Sequence, residues 1–475
     1  MSREKELAKN TAILTFGKIC TQFVSFLLLP LYTALLEPAE FGIVDLFNTY
    51  ILLLVPIFNW QFENGLFRFM LDCRGNHKQQ TKLFSNVFAA NIFQSILYLV
   101  FYLVAQNFIS SEYKIFLAID VVLNIFQNTL LQFPRGLGDN KTYAMGSFLS
   151  ATIVVAMNAV FIAGFKMGVL GMFLAVVVAK CVTVMYLATA GKIWKYIDFR
   201  MVDKDELIKI SKYSFPLVPN QLAWWTIGAS DRTILSKAVS ISANGIYSVA
   251  NKFSSIYVTF YNIFNMSWTE TVSLHIDDED RDEFLTETIN SMFNLFATFC
   301  FGIIACLPFV FPILINEQYQ EAYYQVPILM IAVLFQIVVG LYSVIYVAKK
   351  RSSEIAKTST FAAIINVTVN LLLVNRLQIY AASISTLTAY AAMAFYRYFH
   401  VKKYVNIVLR KKSIVLVGIV ACITIIPYYL QNTVLQVIAL VFVIIYAYMI
   451  NKSFIHSMFQ MMFDIIKKMR GKLKY

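Results

Sequence analysis

Charge is scarce in this chain, and the usual marks of catalysis are scarcer. Only 14% of its 475 residues are charged, where a soluble domain carries about 25%. No stretch fits G-x-x-x-x-G-K-[S/T], the loop that cradles nucleotide phosphates, so the chain is not by itself an ATP-driven pump. Six cysteines give no C-x-x-C pair and no metal-ligand spacing with histidine. Cys20, Cys181, Cys300, Cys306 and Cys422 lie in apolar runs, and Cys73 lies in a basic loop. Neither a disulfide framework, nor a metal site, nor a cofactor is expected. The four histidines (His77, His275, His400 and His456) fall between apolar runs or near their ends, which leaves no buried acid–base centre built on histidine.

Apolar surface is abundant instead. The chain is 59% hydrophobic and 15% aromatic, with a mean hydropathy of +0.65, a composition suited to lipid. A hydrocarbon layer of about 30 Å takes about 20 helical residues. Runs near that length occur at roughly 11–36, 42–70, 84–108, 115–134, 144–165 and 168–190. After a polar connector at about 191–213 they resume at roughly 214–236, 243–270, 288–315, 324–348, 358–375, 379–399, 413–430 and 433–451. The pattern predicts an all-α integral membrane protein of about fourteen transmembrane helices. The charged N-terminus MSREKELAKN leads straight into the first run without a short apolar region and cleavage site, so it reads as a retained span.

Cation placement sets the orientation. With both termini cytoplasmic, the inner connectors hold about thirty Lys and Arg residues, and the outer ones hold only Lys114, Lys166, Lys237 and Arg376. The alternation runs loop by loop, so one missed span would invert every loop after it. The formal charge of +13 is therefore assigned to membrane lipids and topology, not to nucleic acid. The outer loops are short, which leaves no room for an extracellular domain.

A short repeat divides the chain. EFGIVDLFNTY (Glu40–Tyr50) and ANGIYSVANKF (Ala243–Phe253) align Gly42, Ile43 and Asn48 with Gly245, Ile246 and Asn251. An even number of spans between the copies makes the repeat parallel.

Charges inside apolar runs are the candidate site. A cation at the bilayer centre costs about 2.5–3.5 kcal/mol even on the lenient scale, so it needs a partner or a wet cavity. Lys18, Lys180, Arg232, Lys252 and Arg397 are such cations. Arg397, near an inner end, is expected to snorkel. Lys18 can snorkel or line a cavity, and Lys180 and Lys252 are deep enough to line one or to form ion pairs. Asp231 could neutralise a cation on the eighth run, such as Lys252, or Arg232 and Lys252 could attract an anionic headgroup. Asp45 is a candidate gate or coupling-ion carboxylate. Glu63 and Glu270 read as solvated interface groups, Trp60, Trp194 and Trp268 as interface anchors, and Trp224 and Trp225 as lipid-facing or helix-packing. Pro30, Pro56, Pro216 and Pro219 mark possible helix breaks.

Two stretches carry a family resemblance: FPLVPNQLAWWTIGASDRTILSKAVSISANGIYSVANKFSSI and NTAILTFGKICTQFVSFLLLPLYTALLEPAEFGIVDLFNTY. They resemble the seventh-to-eighth and first-to-second spans of the bacterial polysaccharide (oligosaccharide) transporters. These are the Wzx-type flippases of the superfamily that also holds the MATE exporters and the lipid II flippase. The resemblance implies two pseudo-symmetric six-helix lobes, at 1–200 and 201–405, and two additional helices with a basic tail at 406–475. It implies movement of an undecaprenyl-diphosphate-linked oligosaccharide across the bacterial cytoplasmic membrane for O-antigen, capsule or exopolysaccharide synthesis. A polysaccharide polymerase and glycosyltransferases would be partners. Lys18, Lys180, Arg232 and Lys252 become cavity cations, and Asp231 and Asp45 become gate or coupling residues. Two rivals stand beside this reading: a MATE-like exporter of small molecules, which would want an acidic cavity, and a membrane polymerase or ligase, which would want a sizeable outer loop.

Overall fold

A computed structural model describes residues 26, 28–349 and 351–452 of the chain. Among them are sixteen α-helices and no strand. In chain order these are α1 (Leu29–Leu35), α2 (Pro38–Asn59), α3 (Phe62–Asp72), α4 (His77–Ala105), α5 (Lys114–Leu137), α6 (Asn140–Asn158), α7 (Gly168–Ala190) and α8 (Lys204–Ser214). Then follow α9 (Leu217–Ala238), α10 (Ile241–His275), α11 (Arg281–Leu314), α12 (Gln320–Ala348), α13 (Ser352–Leu377), α14 (Ile379–Val401), α15 (Lys411–Leu430) and α16 (Thr433–Ile450).

Ten helices among the described residues are long and apolar enough to cross a membrane, so the chain is a multi-pass membrane protein. That number does not reproduce the expected fourteen. Most of the first run lies outside the described residues. Helices α9, α10 and α14 have 22, 35 and 23 residues but are not among the ten.

The second run does not form one span. Helix α2 starts on a capping box, with Pro38 in its first turn and the Glu37 and Glu40 side chains satisfying each other's backbone N–H groups. It stops at Trp60 and Gln61, which adopt left-handed φ angles of 53° and 58°, and α3 begins one residue later. Such angles cost about 1–3 kcal/mol per non-glycine residue unless the surroundings fix them. Here they do: the Asn59 carbonyl accepts from Gln94 Nε2 at 3.0 Å, and the Gln61 N–H donates to Asn59 Oδ1 at 2.8 Å.

The described chain packs as two compact units. The first takes Met1–Lys252 with Ala363–Ser385, the second Phe253–Ala362 with Thr386–Tyr475, so α10, α13 and α14 contribute to both. In the first, Phe62, Leu66, Met70, Phe84, Phe133 and Leu187 form a buried apolar cluster. The polar connector folds back on α4 rather than hanging free. Ser85 Oγ donates to the Tyr196 carbonyl at 3.1 Å, the Asp203 N–H to Asn86 Oδ1 at 2.8 Å, and Lys82 pairs with Asp203 at 2.6 Å.

In the second unit α15 is riveted to α12. The Tyr323 and Tyr428 rings stack at 4.1 Å, and the Tyr428 hydroxyl donates to the Tyr323 carbonyl at 2.7 Å. Arg397 also lies in this unit, and it does not snorkel. It is 0% exposed. Its guanidinium donates to the Thr358 hydroxyl at 2.6 and 3.0 Å, to Ser343, and to the Val339 carbonyl at 3.3 Å. Five fixed donors met by hydroxyls and carbonyls hold the charge inside. Two further expectations fail for a similar reason. Glu63 is buried and accepts from Asn59 Nδ2 at 2.8 Å, and Trp268 is buried with its indole donating to the Leu341 carbonyl at 3.3 Å.

Candidate functional site

The repeat glycines bring the charged helices together. A side chain on Gly42 would overlap the Ile241 carbonyl oxygen, and one on Gly245 would overlap that of Pro38. Helices α2 and α10 therefore meet backbone to backbone, as only glycine permits. Asn244 Nδ2 closes the crossing with a 3.0 Å bond to the Gly42 carbonyl. Asp45 follows one turn along α2, and Lys252 two turns along α10.

Helix α9 is fixed beside α2 at two levels. The Trp225 indole donates to the Thr49 carbonyl at 2.8 Å, the helix-packing role among those weighed for it. Arg232 Nε stands 2.8 Å from Asp45 Oδ2, and its Nη1 donates back to the Gly228 carbonyl at 2.7 Å. The pair is largely withdrawn from solvent, with the side chains 17% and 14% exposed.

Asp231, next in sequence, faces elsewhere, because adjacent helical residues point about 100° apart. It is 1% exposed. It accepts from Asn370 Nδ2 at 2.7 Å, from the Tyr247 hydroxyl at 3.2 Å and from the Ser385 hydroxyl at 3.5 Å. A carboxylate met by three neutral donors is a hub for α10, α13 and α14 within the first unit.

A cavity of about 260 Å³ opens beside the Asp45–Arg232 pair. Asp45, Asn48, Asn158, Tyr32 and Lys252 line it. Asn158 bonds its own helix through Nδ2, to the Val154 carbonyl at 2.8 Å, and its buried Oδ1 has no partner among the described residues. Lys252 is attracted by the Asp45 carboxylate and repelled by the Arg232 guanidinium. Two cations and two carboxylates, Asp45 and Asp231, thus interact around the cavity, with Lys252 the cation on its wall.

The structure brings Asp45, Arg232 and Lys252 together and separates the other candidates from them. Lys180 forms an ion pair with Asp120, joining α7 to α5. Asp231 belongs to its own hub. Lys18 lies outside the described residues. Sequence reasoning missed Tyr32 as a lining residue. Asn48 carried a signal, since it is a matched position of the repeat.

A chain of long apolar helices with a charged cavity among them has the form of a membrane transporter, and its neighbours in fold are transporters. The structure resembles an inward-facing multidrug-resistance MATE transporter of the MOP superfamily at 12% identity, covering 82% of this chain and 98% of that one, with a TM-score of 0.68. It also resembles the lipid II flippase MurJ in an inward closed conformation: 14% identity, 94% and 100% coverage, TM-score 0.69. An outward-facing MATE transporter matches at 14% identity over 83% and 95%, with a TM-score of 0.58. No curated protein matches the chain in sequence. Residues 7–269 match the model of the polysaccharide biosynthesis protein family, more than half of the chain, and the protein belongs to that family.

Proposed function

We propose that this protein flips an undecaprenyl-diphosphate-linked oligosaccharide repeat unit from the inner to the outer leaflet of the bacterial cytoplasmic membrane, for surface polysaccharide synthesis. The observation that carries the reading is the Asp45–Arg232–Lys252 cluster on three helices beside a cavity. Its two cations, Lys252 on the cavity wall and Arg232 beside it, suit a diphosphate, which cannot cross lipid unaided, while the polyprenyl tail stays in the hydrocarbon. Lys252 is the cation that meets the headgroup. Arg232, held by Asp45, is released when the carboxylate is protonated or binds a coupling ion. Two six-helix lobes, 1–200 and 201–405, rock about this cluster in alternating access, with the segment 406–475 added. Both termini are cytoplasmic, and a polymerase and glycosyltransferases act before and after it.

One observation favours a MATE-like exporter of cations: the cavity does contain a carboxylate. Asp45 is already engaged by Arg232, however, and a second cation, Lys252, lines the same cavity, so no uncommitted carboxylate on its wall awaits a cationic substrate.

The test is deletion of the gene, with lipid-linked oligosaccharides then assayed by leaflet. Complete repeat units should accumulate on the inner leaflet and clear with wild type but not with Lys252→Ala. Single units reaching the outer leaflet unpolymerised in the deletion strain would overturn the reading and point to a polymerase.

A further inference from the structure

A second cavity, of about 470 Å³, lies where α2 breaks into α3. Its walls come from α2, α3, α5, α6 and α9, all within the first unit. The size falls in the range of about 300–1,000 Å³ that small-molecule pockets occupy. Three features of its lining select the chemistry it can hold.

The first is its wealth of amides. Gln61, Asn64, Asn124, Asn128, Gln132 and Gln221 all face it. Each amide offers two donors and an acceptor, the mixture that a ring of vicinal hydroxyls requires. Asn128 and Gln221 bond to no group among the described residues, whereas Asn64 is held by Gln61 Oε1 at 2.7 Å and Asn124 by the Asp120 carbonyl at 2.8 Å. The cavity thus combines positioned amides with ones ready for a ligand.

The second feature is its charge. No Lys or Arg lines it, and Glu63 does. A diphosphate would find no cation on these walls, and a polyprenyl chain would leave the half-buried amides without partners. A single ion is far smaller than the space. Neutral sugar rings satisfy the amides and the carboxylate together, with Tyr143 beside them to cover an apolar ring face.

The third feature is the break itself. Left-handed angles at Trp60 and Gln61 turn Gln61, Glu63 and Asn64 to the cavity, and an interrupted membrane helix is tolerated where it is buried in protein or lines a cavity. Strain of this kind needs a compensating structure, and the Asn59 and Gln94 bonds supply one. The cavity also follows the charged one along the same helix. Asp45 and Asn48 line the first, and Ile51, Val55 and Pro56 the second. At about 1.5 Å per residue their centres are about 12 Å apart along α2.

We propose that this amide-lined cavity is a subsite for neutral, hydroxyl-rich sugar rings of the transported glycan. The assignment rests on the flippase reading: a headgroup held at Lys252 would lay its attached sugars down α2 toward the break. Asn128 and Gln221 supply the specific contacts, and Gln61, Glu63 and Asn64 form the fixed floor.

The test uses the full-length protein in lipid nanodiscs and two probes, undecaprenyl diphosphate alone and the lipid-linked repeat unit extracted from the source strain's membranes. Wild type should bind the glycosylated lipid more tightly than the bare one. Asn128→Ala combined with Gln221→Ala should shrink that gap by about tenfold, two amide bonds' worth, and leave the bare lipid's affinity unchanged. Asn128→Leu with Gln221→Leu, which keep side-chain bulk, should do the same and guard against collapse of the cavity. A gap that survives both double variants would overturn the subsite, as would an equal loss for both probes in variants that melt like wild type. A gap that survives while sodium dependence shifts would also overturn it, giving the cavity to a cation. Failure of wild type to bind either probe would instead sink the flippase reading, and so the two failures are distinguishable.

Discussion

Each compact unit buries an arginine, and the two are held in opposite ways. Arg397 in the second unit is sealed, its guanidinium met by Thr358, Ser343 and backbone carbonyls, with no carboxylate at ion-pair distance among the described residues. Arg232 in the first unit is paired with Asp45 at 2.8 Å, and Asp45 in turn lines a cavity that also contains Lys252. Both solve the cost of a cation at membrane depth. A cation whose donors all end on neutral protein groups has nothing to exchange and serves the fold. One whose counter-ion also faces a cavity can trade that partner for a ligand. Burial alone, then, does not separate the two arginines; a counter-ion that also faces a cavity does.

The largest expected effect breaks the sealed arginine. Arg397→Ala should strip several buried hydroxyls and carbonyls of their donor and cost at least about 3 kcal/mol, read as a lost or strongly lowered melting transition of the purified protein. Arg397→Lys should rescue little, because an ammonium lacks the planar fork that reaches acceptors on α12 and α13 at once. A variant with near-native melting and impaired transport would reverse the comparison and make Arg397 the functional cation.

Next in size is the paired arginine. Asp45→Asn leaves Arg232 without its carboxylate and should cost about 2 kcal/mol, with transport lost. Adding Arg232→Gln should restore much of the stability, since the two changes act through one contact, yet leave transport absent. Full additivity of the two melting shifts would show that the pair does not couple.

These residues also divide what was legible in the sequence from what was not. That Arg232, Asp45 and Lys252 matter could be read from charge inside apolar runs, and the repeat located the helices that carry them. The pairing could not be read. From sequence, Asp231 reads as a cation's partner and Asp45 only as a gate or coupling carboxylate, but helical phase turns Asp231 toward Asn370 and Tyr247 and leaves Asp45, 187 positions from Arg232, to meet it. Arg397 was misread because depth along a helix predicts snorkelling only if the neighbours are lipid. Its real neighbours are hydroxyls on α12 and α13, which carry no charge to announce them. The break at Trp60 was half visible: Pro56 marked the region, but neither residue at left-handed φ is a glycine. The helical, multi-span class needed only hydropathy, because a bilayer permits few alternatives.

Lys252→Ala should be smaller still in stability and total in function. Removing the lysine leaves the Asp45–Arg232 pair intact, so it should cost less stability than Asp45→Asn, while repeat units stay on the inner leaflet. Lys252→Arg should retain part of the activity, since a headgroup at the cavity needs the charge more than one donor geometry. A large melting shift from Lys252→Ala would move this residue into the class of Arg397.

The smallest effect belongs to a charge pair in water, which sets the scale for the other two. Asp203 in the connector is bonded by Lys82 at 2.6 Å, and that contact holds its carboxyl below the usual range. A depressed folded-state pKa stabilises above the unfolded value, near 3.9, and the benefit fades as pH falls through the folded value. Asp203→Asn should therefore lower the melting temperature slightly at neutral pH, and the difference from wild type should vanish as the pH falls through the folded value. High salt should shrink it as well, because both side chains are well exposed. Transport should be unchanged. If Asp203→Asn instead matched Asp45→Asn in size, membrane burial could not be what gives the Arg232 pair its strength, and the contrast between charges in lipid and charges in water would fail at its base.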